Sequence, residues 1–349
     1  MLNADTGLVP CFGRDWRWQH SGRRIVSERP SPIKIGLVLF MGLMAASTAA
    51  LFIRFGYAAG EGLNQVGLGL AMAALRLIFA SMLLIPLWYR TRNEESPQPG
   101  AYWFALGAGV FLAIHFGSWI PAFAFTSIAA STTIATSSPV WVAIMLWLWK
   151  GEVPSRLTML GITIAISGAM VLALGDAAGD GAGANPMLGN ALALVAALGF
   201  SFYFLMGQEA QRRGLSTSRY VAVAYAIGAL TLLPIPLIVG PHYGELPGMV
   251  IFFGLMLALV PQLIGHTSFN WAVKWVTPTL VTLVILMEPI GATILGLIFF
   301  GELPGWVVLL GAVILLGGVA LAVWGRAEPE ESEHNETVLE SEEPEQESR

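Results

Sequence analysis

Residues 137–168 read SSPVWVAIMLWLWKGEVPSRLTMLGITIAISG, and residues 287–318 read MEPIGATILGLIFFGELPGWVVLLGAVILLGG. Laid over one another at an offset of 150 they need no gap, and the match extends from Ser118 to about Leu174 against Ser268 to about Trp324. Pro139 meets Pro289, Gly151 and Glu152 meet Gly301 and Glu302, Pro154 meets Pro304, Gly161 meets Gly311, and Gly168 meets Gly318. Both copies are apolar enough to lie in lipid, so the expectation is an all-α membrane protein built from two related halves. If the first half crosses the membrane an odd number of times, the second sits upside down relative to it. Two inverted halves can exchange conformations across a bilayer.

Composition agrees. Mean hydropathy is +0.68 over 349 residues and 12% are charged, against roughly 25% in ordinary soluble domains. A soluble fold of this size could not hide so much apolar surface, which leaves a polytopic membrane protein. The formal net charge of -5 misleads, because residues 325–349 alone carry ten Glu and two Arg. That segment, 326–349, is expected to be a disordered acidic tail. Cys11 is the only cysteine, which excludes an intrachain disulfide and a cysteine metal cluster. Residues 1–32 form a basic leader, also expected to be disordered. The first apolar run starts near Ile33, too late and too long for a cleaved signal, and is expected to be retained.

Crossing the hydrocarbon as a helix takes about 20 apolar residues. Ten runs qualify: 33–56 (span 1), 67–89 (2), 101–123 (3), 127–149 (4), 157–175 (5), 188–207 (6), 217–239 (7), 247–271 (8), 277–299 (9) and 305–325 (10). The stretch 101–149 has no charged residue, but it is more than twice too long for one span and must turn back near Phe123–Ser127. With the N-terminus inside, 16 of the 18 Lys and Arg fall in the leader or in inner segments, among them Arg90, Lys150, Arg212 and Lys274. Outer loops carry Glu61, Asp176, Asp180, Glu245 and Glu302 instead. Both termini are therefore expected in the cytoplasm. A first repeat of five spans (33–175) is joined by an external linker (176–187) to a second (188–325), and five is odd, so the repeat is inverted.

These features resemble the drug/metabolite transporter superfamily, specifically its EamA branch of ten-span carriers, over roughly residues 33–325. The resemblance rests on Ser137-Ser138-Pro139-Val140, Lys150 to Pro154 and Gly161 to Gly168, repeated as Met287 to Ile290, Gly301 to Pro304 and Gly311 to Gly318. Arg76 in span 2 and Arg54 near the end of span 1 also fit the family pattern. The resemblance implies a carrier, often an exporter, of small metabolites such as amino acids, with a central cavity between the halves.

The residues that could handle charge are few. Glu288 falls near the middle of span 9, where an ionised carboxylate costs roughly 2.5–3.5 kcal/mol on insertion scales. A cation, a water-filled cavity or protonation must offset that. Glu288 is therefore either a proton- or substrate-coupling carboxylate or one half of a fixed ion pair with Arg76. Arg76 carries the same two readings: a bidentate clamp for a substrate carboxylate, or a structural partner. His115 and His266 lie in equivalent spans, one position out of register, and are either proton relays or neutral interhelical bridges. Trp119, Thr136, Ser137, Tyr203 and Gln262 are expected to line the cavity. Most hydroxyls of span 4 are expected to bond back to their own helix, although Pro139 frees a carbonyl one turn earlier. Glu152 and Glu302, each two residues before a Pro, read as caps of spans 5 and 10. Gly161, Gly168, Gly311, Gly317 and Gly318 allow close helix approach, either internally or in a homodimer.

Nothing points to catalysis or cofactors. No G-x-x-x-x-G-K-[ST] or H-E-x-x-H motif occurs, two His and one Glu lack ligand spacing for a metal, and the basic leader is explained by topology rather than nucleic acid. The expected function is secondary transport of a small metabolite, an amino acid or related compound, outward across the cytoplasmic membrane by alternating access with proton coupling. The alternatives are an uncoupled facilitator and, further off, an intramembrane lipid-modifying enzyme.

Overall fold

The computed structural model describes residues 30–91, 93–151, 153–178, 184–272, 275–276, 281 and 284–341, with side chains omitted at 149–150, 176–178 and 326–341. Residues 1–29 of the leader, Glu152, Lys274, residues 179–183 of the linker and 342–349 of the tail lie outside the described residues. Among those described there is no strand, and nine helices are long and apolar enough to cross a membrane. They coincide with spans 1–8 and 10. Span 9 is described as the helix Glu288–Phe300 and a short piece before it. The protein is an all-α, multi-pass membrane protein.

Helix starts follow from local chemistry, because the first N–H groups of a helix lack partners and a preceding Ser or Asn supplies one. Asn64 caps Gly67 at 3.0 Å, Ser127 caps Ala130 at 3.1 Å and Ser216 caps Arg219 at 3.3 Å. Spans 1 and 6, equivalent in the two halves, share one device. Ser31 then Pro32, and Asn185 then Pro186, place a side-chain cap before a proline in the first turn. The halves also end helices alike: Gly151 and Gly301, 150 positions apart, adopt φ of 67° and 64° and close the C-termini of spans 4 and 9.

Spans 5 and 10 supply the most direct view of the inversion. Helix Arg156–Ala178 packs along helix Trp306–Ser341 so closely that a Cβ on Gly161 would run into the backbone of Ala322, and one on Gly311 into that of Leu172. Those two contacts are the same contact displaced by 150 residues. Gly168 against Leu315 and Gly318 against Ala165 form a second such pair. In each case the residue number rises along one helix as it falls along the other, so equivalent spans lie antiparallel about a two-fold axis. Lipid supplies no hydrophobic drive between helices, and close backbone approach at small residues takes its place. Gly317 faces open space and contributes nothing to this seam.

The other spans interleave the halves. Span 6 crosses span 3 where Gly199 meets the backbone of His115, and span 1 crosses span 8 where Gly265 meets that of Ala46. Buried residues of spans 1–4 and 6–9 form one large cluster, and Val140, Ile162, Leu286, Leu315 and Val319 belong to a smaller one under the 5–10 seam. Large apolar side chains such as Trp103, Ile238 and Ile298 point outward, as they should in lipid. The last helix continues to Ser341, past the boundary at 325 where composition suggested a disordered tail. Ala and Glu are strong helix formers, which suits that extension.

Candidate functional site

Span 4 is broken, and the break shapes the site. One helix runs Ile128–Ala135 and a second Ser138–Lys150, with Thr136 and Ser137 between. Pro139 cannot donate, so the ladder is interrupted there, and Ser137 Oγ donates to Ile134 O at 2.6 Å instead. The equivalent break in span 9 puts Glu288 in the first turn of its helix, with Pro289 next. A helix N-terminus carries partial positive charge, so a carboxylate there is stabilised without a cation in contact.

Five spans meet at one pocket between the halves. Its wall is His115 and Trp119 from span 3, Thr132, Ala135, Thr136 and Ser138 from span 4, Phe200 from span 6, His266 and Phe269 from span 8, and Ile285 and Glu288 from span 9. The free space is about 30 Å³, room for a water molecule or two and not for a metabolite. Spans 3 and 8, and 4 and 9, are the equivalent pairs of the inverted repeat, so the pocket straddles the pseudo-dyad.

The two imidazoles share aromatic neighbours. His115 lies 4.7 Å from Phe116 and 5.2 Å from Phe200, and His266 lies 5.6 Å and 5.9 Å from the same two rings. His115 Nδ1 is 2.8 Å from the Ala196 carbonyl, which makes Nδ1 the protonated nitrogen. His266 ends a nine-residue π-helical segment, Ala258–His266, inside span 8. A turn closed by i→i+5 bonds holds one residue more than an α turn. The two histidines, one position out of register under the 150 offset, nevertheless reach the same pocket.

Arg76 is fully buried but is not on the pocket wall. Its guanidinium lies 3.9 Å from the Phe116 ring centroid, and Nε donates to Gln262 Oε1 at 2.7 Å. The fixed Arg76–Glu288 ion pair weighed from the sequence does not form. Ion pairs among the described residues are Arg54–Glu302, Arg213–Glu209 and Arg219–Glu94. Arg76 is committed to a ring and an amide, while Glu288 has a helix terminus.

Of the residues expected on the wall, Trp119 and Thr136 are there; Ser137, Tyr203 and Gln262 are not. Ser137 is spent within span 4, where it also accepts from Trp141 Nε1 at 3.1 Å, and the Tyr203 hydroxyl accepts from Asn270 Nδ2 at 3.1 Å. Gln262, inside the π segment, accepts from Arg76 instead. Phe200, Phe269 and Ile285 were not singled out from the sequence, since an apolar residue in an apolar span carries no signal of which way it faces.

A second polar cluster ties one end of the bundle together. Glu302 caps a helix, but span 4 rather than the span 10 expected from the sequence. Its Oε1 accepts the Ile128 N–H at 2.6 Å, because the 9–10 loop passes over the start of span 4. Its Oε2 pairs with Arg54 Nη2 at 3.3 Å. Arg54 donates also to Phe123 O at 2.9 Å and Thr126 O at 3.2 Å. Three segments, the end of span 1, the 3–4 turn and the 9–10 loop, are thereby held by two side chains.

Comparison with known proteins places this architecture. An uncharacterized transporter of Archaeoglobus fulgidus is 24% identical over 284 residues, 81% of this chain and 94% of its own. A probable terminal-alkyne amino-acid exporter of Streptantibioticus cattleyicolor is 27% identical over 263 residues, 75% of this chain and 84% of its own. One solved crystal structure superposes with a TM-score of 0.56 at 18% identity, covering 85% of this chain and 99% of that one, which shows a shared fold. The sequence profile of the EamA-like transporter family matches twice, at residues 35–174 and 187–324, once per half. The chain is therefore a member of the EamA-like transporter family.

Proposed function

We propose that this membrane transporter is a secondary carrier that moves an amino acid or a related small metabolite outward across the cytoplasmic membrane, with both termini in the cytoplasm. The observation that carries this reading is the pocket on the pseudo-dyad, walled by equivalent spans of both inverted halves and containing Glu288, His115 and His266. A site shared by two inverted halves is reached from either side when they rock about it. The small free volume suits an intermediate in which the cavity is closed, so substrate enters only after one end opens. Glu288, with no cation in contact among the described residues, is the group suited to exchanging a proton with the cycle. The exporter among the relatives supports an amino-acid-like solute and the outward direction.

Counterflow in proteoliposomes tests the proposal. Vesicles loaded with unlabelled amino acids should accumulate the labelled solute, and silence across amino acids, organic acids and amines would count against carriage. An imposed pH gradient should drive net flux in the native chain.

A further inference from the structure

Arginines that brace this protein spend their donors on backbone oxygens. Arg219 donates to Thr91 O, Glu95 O and Glu94 O, and Arg54 to Phe123 O and Thr126 O. Arg76 does not. Its plane is fixed by the Phe116 ring and its rotation by the single bond from Nε to Gln262. That bond uses one of five N–H donors. Nη1 and Nη2 have no hydrogen-bond partner although the residue is fully buried. Gln262 Nε2 and the pocket residue Trp119 Nε1 are likewise unpartnered. The three atoms on Arg76 and Gln262 are all donors, and the one unpartnered hydroxyl beside them, that of Tyr225, leaves this cluster short of acceptors; burying donors unpaired is costly. The edge left open is the end-on edge of the guanidinium, the one that grips both oxygens of a carboxylate.

The cluster lies one ring behind the pocket, since Phe116 also touches both pocket imidazoles. We infer that Arg76 and Gln262 form a carboxylate subsite for the transported solute, entered past Phe116 and His266 when the pocket opens, with Glu288 holding the cationic end of the same zwitterion. This rests on the carrier reading above. It adds that the acid group, rather than the side chain, is what the site demands of a substrate. A zwitterion supplies an acceptor for the Arg76 and Gln262 donors and a cation for Glu288, which has no ion-pair partner among the described residues.

The test is binding to the purified chain in nanodiscs, followed by tryptophan fluorescence and thermal stability. The probes are the standard L-amino acids and small carboxylates, each binder being compared with its carboxamide and its decarboxylated amine. Losing a bidentate charged contact should weaken binding about 10- to 100-fold for the carboxamide. Arg76→Lys should weaken the acid by a similar factor and leave the carboxamide unchanged. Equal binding of acid and carboxamide to the unaltered chain overturns the subsite, and so does failure of every carboxylate to bind; neither outcome depends on a variant folding. Counterflow of a solute without a carboxylate would remove the subsite and keep the carrier. Acid-selective binding without any counterflow would keep the subsite and remove the carrier.

Discussion

Glu302→Gln isolates the work done by the cluster at the end of the bundle. The substitution keeps the shape and an oxygen that can still accept from Ile128, but removes the charge. A hydrogen bond to a charged acceptor is worth roughly 1 kcal/mol more than one to a neutral acceptor. The pair with Arg54 is about a quarter exposed, with side-chain exposures of 26% and 22%, so it contributes about 0–1 kcal/mol after screening. Together these give about 1–2 kcal/mol favouring the conformation in which span 1, the 3–4 turn and the 9–10 loop are joined, or a factor of roughly 5–30 in its population. The assay uses the single native cysteine to advantage: with Cys11→Ser as background, Thr136→Cys places one thiol on the pocket wall. An impermeant thiol reagent added outside should label it about 5- to 30-fold faster when Glu302→Gln is present. Arg54→Gln should raise labelling similarly, and the double variant little further, because both remove one interaction. Unchanged labelling in Glu302→Gln, in protein that still binds substrate, would refute the view that this cluster closes the outer end.

Four further outcomes are expected. Glu288→Gln should abolish flux driven by a pH gradient while counterflow continues; if gradient-driven flux survives, the proton passes elsewhere. Gly168→Leu forces a side chain into the Leu315 backbone and should cost about 1–3 kcal/mol or more in detergent stability, whereas Gly317→Leu, facing open space, should stay within about 0.5 kcal/mol. Deleting one residue from 258–261 should restore α turns in span 8 and withdraw His266 from the pocket; lost counterflow in folded protein is the expected readout. A reporter fused into the 176–187 connector should read as external, and a cytosolic signal would undo the inverted arrangement.

The repeat, the span count and the breaks at Pro139 and Pro289 were legible because they are written in residues with few structural options. Proline cannot join a ladder, glycine marks a close approach or a left-handed cap, and a charge in lipid needs a reason. What stayed hidden depends on rotation about a helix axis. Nothing in the sequence distinguishes Ser137, spent inside span 4, from Thr136, one residue away and on the wall. The π segment was equally opaque, because no residue type in 258–266 demands i→i+5 bonding. The partners of Arg76 and Glu302 are far apart in sequence, at Gln262 and Ile128, and only the packing of the halves brings them together.

The seam between spans 5 and 10 has a consequence for ancestry. The surface that Gly161 and Gly168 offer is the same one that Gly311 and Gly318 offer, each accepting the other turned end for end. A surface complementary to its own reversed image does not require a covalent tether to find its partner. A five-helix ancestor inserted in both orientations could have assembled through this stripe as two separate chains, and fusion through the 176–187 connector would then have fixed one copy in each orientation, freeing the remaining spans to diverge.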